Sequence, residues 1–433
     1  MFVVAFFAMI AAYLLFALSA CFVPTTPIRQ NVANTIAKGD LEEDYPHAIV
    51  PYDSYRENCY QGCRDKSRMD NFTDALIISQ AYYCDNDDLR RSVFLVPYAS
   101  AERGTPNIMT DNLKNLVNGE GVVVEKNYPR YWHGSAFLMR YLLLFANYQK
   151  LRYVFYVVSS FLLLLTVLRL WRVVGMPVAL AYFFALLMVN VYVMQFSIQF
   201  LPVLVITLVA TLMVCDSSVD RAMLFMLTGS LTAFFDLLTT PLLTLGMPLA
   251  VALVLFEREG RAAAWFSGFK SMAALVLAWF LGFSLTWFSK WVMATLFTSE
   301  NVILDGLNAF LYRSSGLDDF TRADAVVDNF NMLPLPVIIA VLSTIALMAV
   351  VRFRKSGLLT ASLLVLLSAM PYLWYLLAAN HSYQHWWFTY RLQAVSLMSL
   401  VSALCCLVDW DRWKVLLCKL KPVPQRKSKS GRE

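Results

Sequence analysis

Hydrophobic residues along this chain occur in long runs that are separated by shorter polar segments. Several runs contain about 18–20 apolar residues, enough for a helix to cross the hydrocarbon core of a membrane. The first run has neither a basic start nor a small-residue cleavage site, so we interpret it as a retained anchor rather than a removed signal peptide. The pattern predicts ten spans with these approximate bounds: Phe2–Phe22, Arg152–Leu170, Pro177–Tyr192, Leu201–Cys215, Ala222–Leu237, Pro241–Phe256, Ser271–Phe288, Pro334–Val351, Leu358–Leu377 and Leu392–Val408.

The polar segment between the first two spans, residues 23–134, is too long to be a simple connector. After it, Ser135–Tyr148 is amphipathic and apolar, and we expect it to lie in the membrane interface. Within the polar segment the pattern predicts four short elements, namely helices at Ile28–Ile36, Asp70–Tyr83 and Thr110–Asn118 and a strand at Val122–Val124.

The composition favours a polytopic membrane protein, since 59% of the 433 residues are hydrophobic and only 15% are charged. Basic residues fall on one side of the predicted spans, in clusters that begin at Arg169, Arg221, Arg258, Arg352 and Lys419. The positive-inside rule makes that side cytoplasmic and places both termini there. The net charge of +6 therefore reflects membrane topology, and no nucleic-acid partner is expected.

The predicted architecture is an all-α polytopic membrane protein with about ten transmembrane helices and a long extracytoplasmic first loop that carries short helices. A disulfide is expected among Cys59, Cys63 and Cys84 of this loop if it faces an oxidising compartment, but three cysteines leave the pairing open. We divide the chain into a first transmembrane helix (1–22), the loop domain (23–134), the transmembrane bundle (135–410) with outer loops at 289–333 and 379–391, and a basic cytoplasmic tail (411–433).

An acidic helix start in the loop domain is the first candidate for chemistry. Asp70 is a candidate N-cap, and Asp74 lies one turn later on the same face. Two carboxylates placed in this way can share a proton or bind one cation, so the sequence leaves a divalent cation open as a cofactor and indicates no other. The alternative interpretation is a capped helix at the protein surface.

Other candidates also lie on the predicted outer side, where all four histidines fall. Arg130, Tyr131 and His133 belong to the segment Asn127–Gly134, next to the point where the chain re-enters the membrane. Asp236 lies at the outer end of a span, where a carboxylate is either functional or a cap of the next helix.

The last outer turn contains His381, His385, Tyr390 and Arg391. The two histidines are one helical turn apart, but no third zinc ligand follows nearby. Arg391 is suited to bind a phosphate at the membrane surface, because its planar guanidinium pairs with phosphate oxygens. The alternative is an interfacial anchor in a belt of Trp and Tyr.

Three absent motifs narrow the classes of function. The chain contains neither the phosphate-binding pattern Gly-x-x-x-x-Gly-Lys nor Gly-x-Gly-x-x-Gly, so we expect neither an ATP motor nor a dinucleotide enzyme. It also lacks the Gly-x-Ser-x-Gly pattern of a serine nucleophile elbow.

With these elements on the page, the chain resembles the polytopic GT-C glycosyltransferases, such as the aminoarabinose transferases and protein O-mannosyltransferases. The resemblance lies in a first span that leads into a long outer loop with an acidic helix start, Asp70–Ala75, and in the aromatic segment Tyr128–Gly134. Leu143–Arg152 is similar to the short interfacial helix of the family, and His381–Arg391 is similar to the His- and Tyr-rich outer loop of some members.

The resemblance implies a membrane glycosyltransferase in the cell membrane. Such an enzyme moves a sugar from a polyprenyl-phosphate donor, which enters from the membrane lipid, to an extracytoplasmic glycan, lipid or protein. The alternative function is a transporter or flippase of lipid-linked saccharides without transferase activity. A transporter is expected to carry polar residues through the middle of its spans.

The resemblance also implies roles for the candidate residues. Asp74 is expected to be the general base, with Asp70 as its partner or alternate and Glu42–Asp44 as a rival position. The cationic candidates, Arg130, His133 and Arg391, are expected to neutralise the leaving phosphate, the largest developing charge in such a transfer. The full set of expected substrate-binding residues is Arg130, Tyr131, His133, Asp236, His381, His385, Tyr390 and Arg391.

Overall fold

The structure of the chain is a computed structural model that describes residues 2–39, 41, 71–102, 108–259, 264–315 and 320–420. The described residues are mostly helical and include one two-stranded antiparallel sheet. Several sequence candidates lie outside the described residues, namely Asp70, the acids of Glu42–Asp44, Cys59 and Cys63.

The N-terminal part of the chain consists of one long helix followed by short elements. The three helices predicted in the loop domain are confirmed, and the predicted strand begins two residues later than expected. Strands β1 and β2 pair through Tyr98 with Lys126. The elements are α1 Phe2–Cys21, α2 Thr25–Ala37, α3 Asn71–Tyr83, β1 Tyr98–Ser100, α4 Met109–Asn118, β2 Val124–Lys126 and α5 Gly134–Leu142, with a π-helical turn at Arg91–Leu95.

The remainder of the chain is a bundle of helices of very unequal length. Its helices are α6 Tyr148–Val174, α7 Met176–Met188, α8 Val191–Phe196, α9 Leu201–Val214, α10 Arg221–Phe235, α11 Leu242–Arg258, α12 Trp265–Phe297, α13 Val302–Ser314, α14 Arg322–Asn331, α15 Leu335–Val351, α16 Leu358–Ser368, α17 Met370–Leu377, α18 Ala379–Gln384, α19 Trp386–Thr389, α20 Gln393–Leu407 and α21 Trp410–Leu420. Short 3₁₀ turns at Lys355–Gly357 and Tyr390–Leu392 precede α16 and α20.

Five helical segments among the described residues are long and apolar enough to cross a membrane, and the number is six if α14 and α15, bent by 80° to each other, count as one broken span. The prediction of a multispan membrane protein is confirmed to this extent. The five segments are Phe2–Cys21, Tyr148–Val174, Trp265–Phe297, Lys355–Leu377 and Trp386–Leu407.

Four of the predicted spans correspond to shorter helices. α7, α9, α10 and α11 contain 13, 14, 15 and 17 residues. At 1.5 Å per residue they fall short of the roughly 20 residues that a straight span needs. The predicted span Pro177–Tyr192 is interrupted because Asn190 adopts a left-handed φ of 57°.

Two predicted boundaries of the bundle also move. The outer loop expected from residue 289 begins after Phe297, because residues 289–297 contain no Gly or Pro to end α12. The predicted tail begins with a helix, α21, and its residues beyond 420 lie outside the described part of the chain.

Close packing holds three helices of the bundle together. A Cβ atom on Gly229 would lie 2.1 Å from the carbonyl oxygen of Trp279, so α10 and α12 approach at backbone distance, as small residues allow in membrane bundles. Thr244 of α11 bonds to Thr232 at 2.8 Å and accepts a hydrogen bond from Trp279 Nε1 at 3.0 Å. These contacts fix α10 and α11 against α12, and they therefore also fix the turn that joins α10 to α11.

One buried arginine joins the loop domain to the first helix. Arg140 of α5 is fully buried and donates hydrogen bonds to the carbonyl oxygens of Ala20, Ala81 and Val23 at 2.9, 3.0 and 2.6 Å. Because carbonyls at the C-terminal ends of helices lack partners within the helix, a guanidinium there satisfies them and compensates its own burial. The ends of α1 and α3 are thereby held against α5.

Candidate functional site

A cavity of about 290 Å³ lies between the loop domain and the ends of the bundle helices. Its lining contains two arginines and two histidines, and no Asp or Glu of the described residues belongs to it. The loop domain contributes Phe72, Thr73, Leu76, Tyr98, Met109, Asn127, Tyr128 and Arg130, and the bundle contributes Gln199, Leu237, Thr239, Arg313, His381, His385 and Phe388.

Two guanidinium groups approach this cavity from different elements. Arg130 lies over the ring of Tyr128 at 5.2 Å, and its Nε lies 3.4 Å from Asp305 Oδ2, a partly exposed carboxylate outside the lining. Arg313 of α13 donates a hydrogen bond to Tyr131 Oη and also bonds to the side chain of Tyr128. Arg130 shares its charge with Asp305, whereas Arg313 is held by tyrosines, so the positive charge that suits an anion comes mainly from Arg313.

Tyr131 and His133 lie behind the cavity and do not belong to its lining. Tyr131 stacks on Trp287 with ring centroids 5.6 Å apart. His133 has a left-handed φ of 57°, and its Nε2 donates to the carbonyl of Tyr128 at 2.7 Å. Burial, together with Lys290 and Arg130, lowers the pKa of His133 to about 3. The neutral ring therefore holds Tyr128 in place and brings no positive charge.

His381 and His385 both line the cavity, with ring centroids 4.9 Å apart. His381 Nε2 donates to the carbonyl of Leu238 at 2.8 Å. Its Nδ1 is buried and has no hydrogen-bond partner among the described residues. Burial and the charge of Arg313 lower the pKa of His381 to about 3, so the ring is neutral and Nδ1 carries a lone pair.

The turn after α10 orients His381. Asp236 is buried and accepts hydrogen bonds from the backbone N–H of Thr239 at 3.0 Å and from its hydroxyl. Leu238 within this turn has a left-handed φ of 69°, which is unusual for a branched residue. The turn presents the Leu238 carbonyl to His381. Asp236 thus acts through this turn, and it does not cap α11, the next helix, whose first residue is Leu242.

Asp74 is fully buried and does not line the cavity. Its carboxylate accepts hydrogen bonds from four donors, which are Tyr148 Oη at 2.6 Å, Ser197 Oγ at 2.8 Å, Gln199 N at 3.1 Å and Arg152 Nη2 at 3.1 Å. A carboxylate so occupied is neither a surface cap nor in reach of a substrate proton. The Asp74 carboxylate joins α3 to α6 and fixes the backbone of Gln199. The side chain of Gln199 lines the cavity, and its buried Oε1 lacks a described hydrogen-bond partner.

Tyr390 and Arg391 lie inside the bundle and not in the cavity lining. Tyr390 Oη donates to the carbonyl of Val189 at 3.2 Å and accepts from Asn190 Nδ2 at 2.9 Å. Arg391 lies over the ring of Phe200 at 4.7 Å and donates to the carbonyl of Trp387 at 2.9 Å. Both side chains join helices.

The structure therefore brings Arg130, His381 and His385 together and adds Arg313, Gln199 and Thr239, which the sequence analysis did not single out. Arg313 had one detectable signal, since it is a basic residue on the predicted outer side, where the positive-inside rule does not call for one. Gln199 and Thr239 had none. No group of three His, Cys, Asp or Glu side chains in the described part of the chain could hold a metal ion.

Comparison of the chain with protein-family models, with curated proteins and with solved structures found no match. Its function is therefore inferred from the geometry of the cavity.

Proposed function

We propose that the cavity binds the phosphate of a lipid-linked sugar and that the protein is a GT-C-type membrane glycosyltransferase with a polyprenyl-phosphate donor. The single observation that carries this proposal is the presence of Arg130 and Arg313 around a cavity without a lining carboxylate. Such a site attracts an anion, and guanidinium groups match the oxygens of a phosphate. The acceptor is an extracytoplasmic glycan, lipid or protein.

In the proposed reaction an acceptor hydroxyl oxygen attacks the anomeric carbon of the sugar. The bond between that carbon and the phosphate oxygen breaks, and its electron pair leaves with the lipid phosphate. Arg130 and Arg313 stabilise the negative charge that develops on this leaving group. The hydroxyl proton must pass to a base that lies within hydrogen-bond reach.

His381 is the base in this proposal, in place of Asp74. Its Nδ1 lone pair is free of described partners, and its Nε2–H is fixed by the carbonyl of Leu238. Burial and the charge of Arg313 hold the pKa of His381 at about 3. A phosphate a few ångströms away favours the protonated ring and raises this pKa towards the range in which a base is effective.

The proposal also covers the number of membrane spans and the side of the membrane on which the termini lie. Ten spans, with both termini in the cytoplasm, require α7, α9, α10 and α11 to cross the membrane despite their lengths, in tilted or locally thinned surroundings. The loop domain then covers the outer ends of the helices. A donor enters sideways from the outer leaflet.

Transport of a lipid-linked saccharide is the rival function. Hydroxyl groups of α1, α10 and α12 bond to one another, as in Tyr13 with Ser230 at 3.0 Å and Ser230 with Thr286 at 2.7 Å. Hydroxyl groups paired in this way join helices and do not offer a polar path for a saccharide across the membrane. Because a transporter is expected to need such a path, this pairing favours the transferase.

The test compares host cells with and without the gene by mass spectrometry of lipid-linked saccharides and envelope glycans. We expect removal of the gene to eliminate one glycan modification and to increase its lipid-linked donor. The wild-type gene should reverse both changes, and an Arg313→Met variant should not. Purified protein in liposomes separates the rivals, because a transferase releases free lipid phosphate whereas a transporter moves the donor intact. Unchanged saccharides in cells without the gene would refute both functions.

A further inference from the structure

We propose that Cys21 and Cys84 form a disulfide bond that fastens the first membrane helix to the loop domain. Cys21 is the last residue of α1, and Cys84 directly follows α3. Their Sγ atoms lie 3.3 Å apart as free thiols. The sulfurs need to approach by about 1.2 Å to reach the roughly 2.05 Å of a disulfide bond.

The surrounding contacts hold the two thiols in register. Arg140 donates to the carbonyls of Ala20 and Ala81, which lie one and three residues before the two cysteines. Both cysteines are buried in an apolar cluster that includes Val93 and Phe137. In the described part of the chain no metal-binding group surrounds them, so a shared metal ion does not explain the contact.

The predicted topology places this contact on the outer side of the membrane, where disulfides persist. In the reaction the two thiols lose two protons and two electrons and form one S–S bond. The electrons pass by thiol–disulfide exchange to an oxidised dithiol carrier protein, whose own disulfide is reduced to two thiols. Because both thiols are buried in the final fold, this exchange takes place before the loop domain packs completely.

The pairing differs from the one expected among the loop cysteines. With Cys21 included, the outer side has four cysteines, and a Cys21–Cys84 bond leaves Cys59 and Cys63 as an even remainder. The proposal depends on the side of the membrane and not on transferase activity, so failure of either idea leaves the other intact.

The direct test is peptide mapping of the full chain purified from membranes in detergent. Free thiols are blocked with N-ethylmaleimide in denaturant before any reduction. We expect one crosslinked peptide that contains Cys21 and Cys84 and that separates on reduction, whereas Cys215 should carry the label. Maleimide on both Cys21 and Cys84, or Cys84 linked to Cys59 or Cys63, would overturn the proposal.

Substitutions provide a second test. Cys21→Ser, Cys84→Ser and the double variant should lower the midpoint of thermal unfolding by the same amount, roughly 5 °C, because either single change removes the whole crosslink. Cys215→Ser is the control and should leave the crosslinked peptide in place. Additive losses in the double variant would contradict a bond between the two residues. If the variants do not fold, the peptide map of the wild-type chain still decides.

Discussion

Two cavities lie at opposite ends of the bundle helices and differ in size and in charge. α11 begins near the first cavity, which Arg130 and Arg313 line, and ends at Arg258, which lines the second cavity. The second cavity is larger, at about 1050 Å³, but its charges balance. The charged residues in its lining are Glu257, Asp409, Asp411, Arg258, Arg354 and Lys414.

Most of these charges already have partners. Arg354 bonds to Glu257 at 2.8 Å, Lys414 bonds to Asp411 at 3.0 Å, and Arg258 donates to the carbonyls at the end of α6. In the first cavity Arg130 also has an ionic partner, Asp305, but Arg313 is held by tyrosines, and Nδ1 of His381 lacks a described partner. Volume alone would select the second cavity, whereas the balance of charge favours the first cavity for an anion.

The largest expected effect concerns the proposed base. His381→Gln keeps a side-chain N–H for the Leu238 carbonyl but removes the basic Nδ1. We expect transfer to slow by about 10²- to 10⁴-fold, with donor binding nearly unchanged. Single-turnover release of lipid phosphate, together with a separate binding measurement, checks this split. Parallel loss of binding would reduce His381 to a residue that shapes the cavity.

Asp74→Asn tests the interpretation of Asp74 as a structural carboxylate. The buried pair with Arg152 loses its anion, and the guanidinium remains buried, so we expect stability to fall by about 3 kcal/mol. Thermal unfolding in detergent measures this change, and the exposed Asp111→Asn serves as the control. A stable variant without transfer activity would return Asp74 to the role of base.

Arg313→Met should weaken binding of polyprenyl phosphate by roughly 10- to 100-fold, because charge-assisted hydrogen bonds contribute about 1.5–3 kcal/mol. Binding to protein in nanodiscs measures this change, and the neutral polyprenol serves as the ligand control. Arg90→Met, an exposed position in the loop domain, should bind as the wild type does. Equal loss in both variants would indicate a general charge effect.

Acid should weaken the end of the molecule that contains His133 and His381 first. The pKa values of His133 and His381 in the folded chain, about 3, lie below the ordinary 6.5, so the unfolded chain takes up protons first. The contribution of these histidines to stability is therefore fully present above pH 6.5. It is lost as the pH drops from 6.5 towards 3, where the unfolding equilibrium constant rises by up to about tenfold per histidine and pH unit.

Hydrogen exchange at pH 7 and pH 5, corrected for intrinsic rates, measures the effect of acid. It should rise in segments 127–134 and 379–391 and change less around residues 402–410. Equal change at both ends would contradict the assignment to these histidines.

The smallest effect is expected at the larger cavity. Arg354→Met breaks a partly exposed ion pair with Glu257, and such pairs contribute about 0–1 kcal/mol. Stability should fall by less than about 1 kcal/mol, and polyprenyl phosphate should bind as before. Binding weakened as strongly as in Arg313→Met would remove the distinction between the two cavities.

Local pattern was sufficient for most elements of the loop domain. The predicted helices near 28–36, 70–83 and 110–118 agree with α2, α3 and α4 to within a few residues. In each segment apolar residues recur at helical spacing, and polar residues mark the two ends. Span lengths were less predictable. Asn190 ends α7 through a backbone conformation that hydropathy does not report.

The candidate site was predicted in part. Arg130, His381 and His385 line the cavity, and their cationic and aromatic context was visible in the sequence. Arg391 and Asp74 were predicted on the same side of the membrane as these residues. Both point into packed surroundings, where neighbouring elements already supply hydrogen-bond partners. Sequence spacing gives the face of a helix and not the neighbour that covers it.

The sequence by itself determined that the chain is helical, strongly apolar and rich in candidate spans, because hydropathy and periodicity act over neighbouring residues. Only the tertiary structure decided which polar side chains share a cavity. Arg130, Gln199, Arg313 and His381 are far apart in sequence, and they meet because α10 packs on α12 and Arg140 of α5 ties the end of α3, in the loop domain, to the end of α1. Whether a carboxylate such as Asp74 is buried or exposed depends on those same long-range contacts.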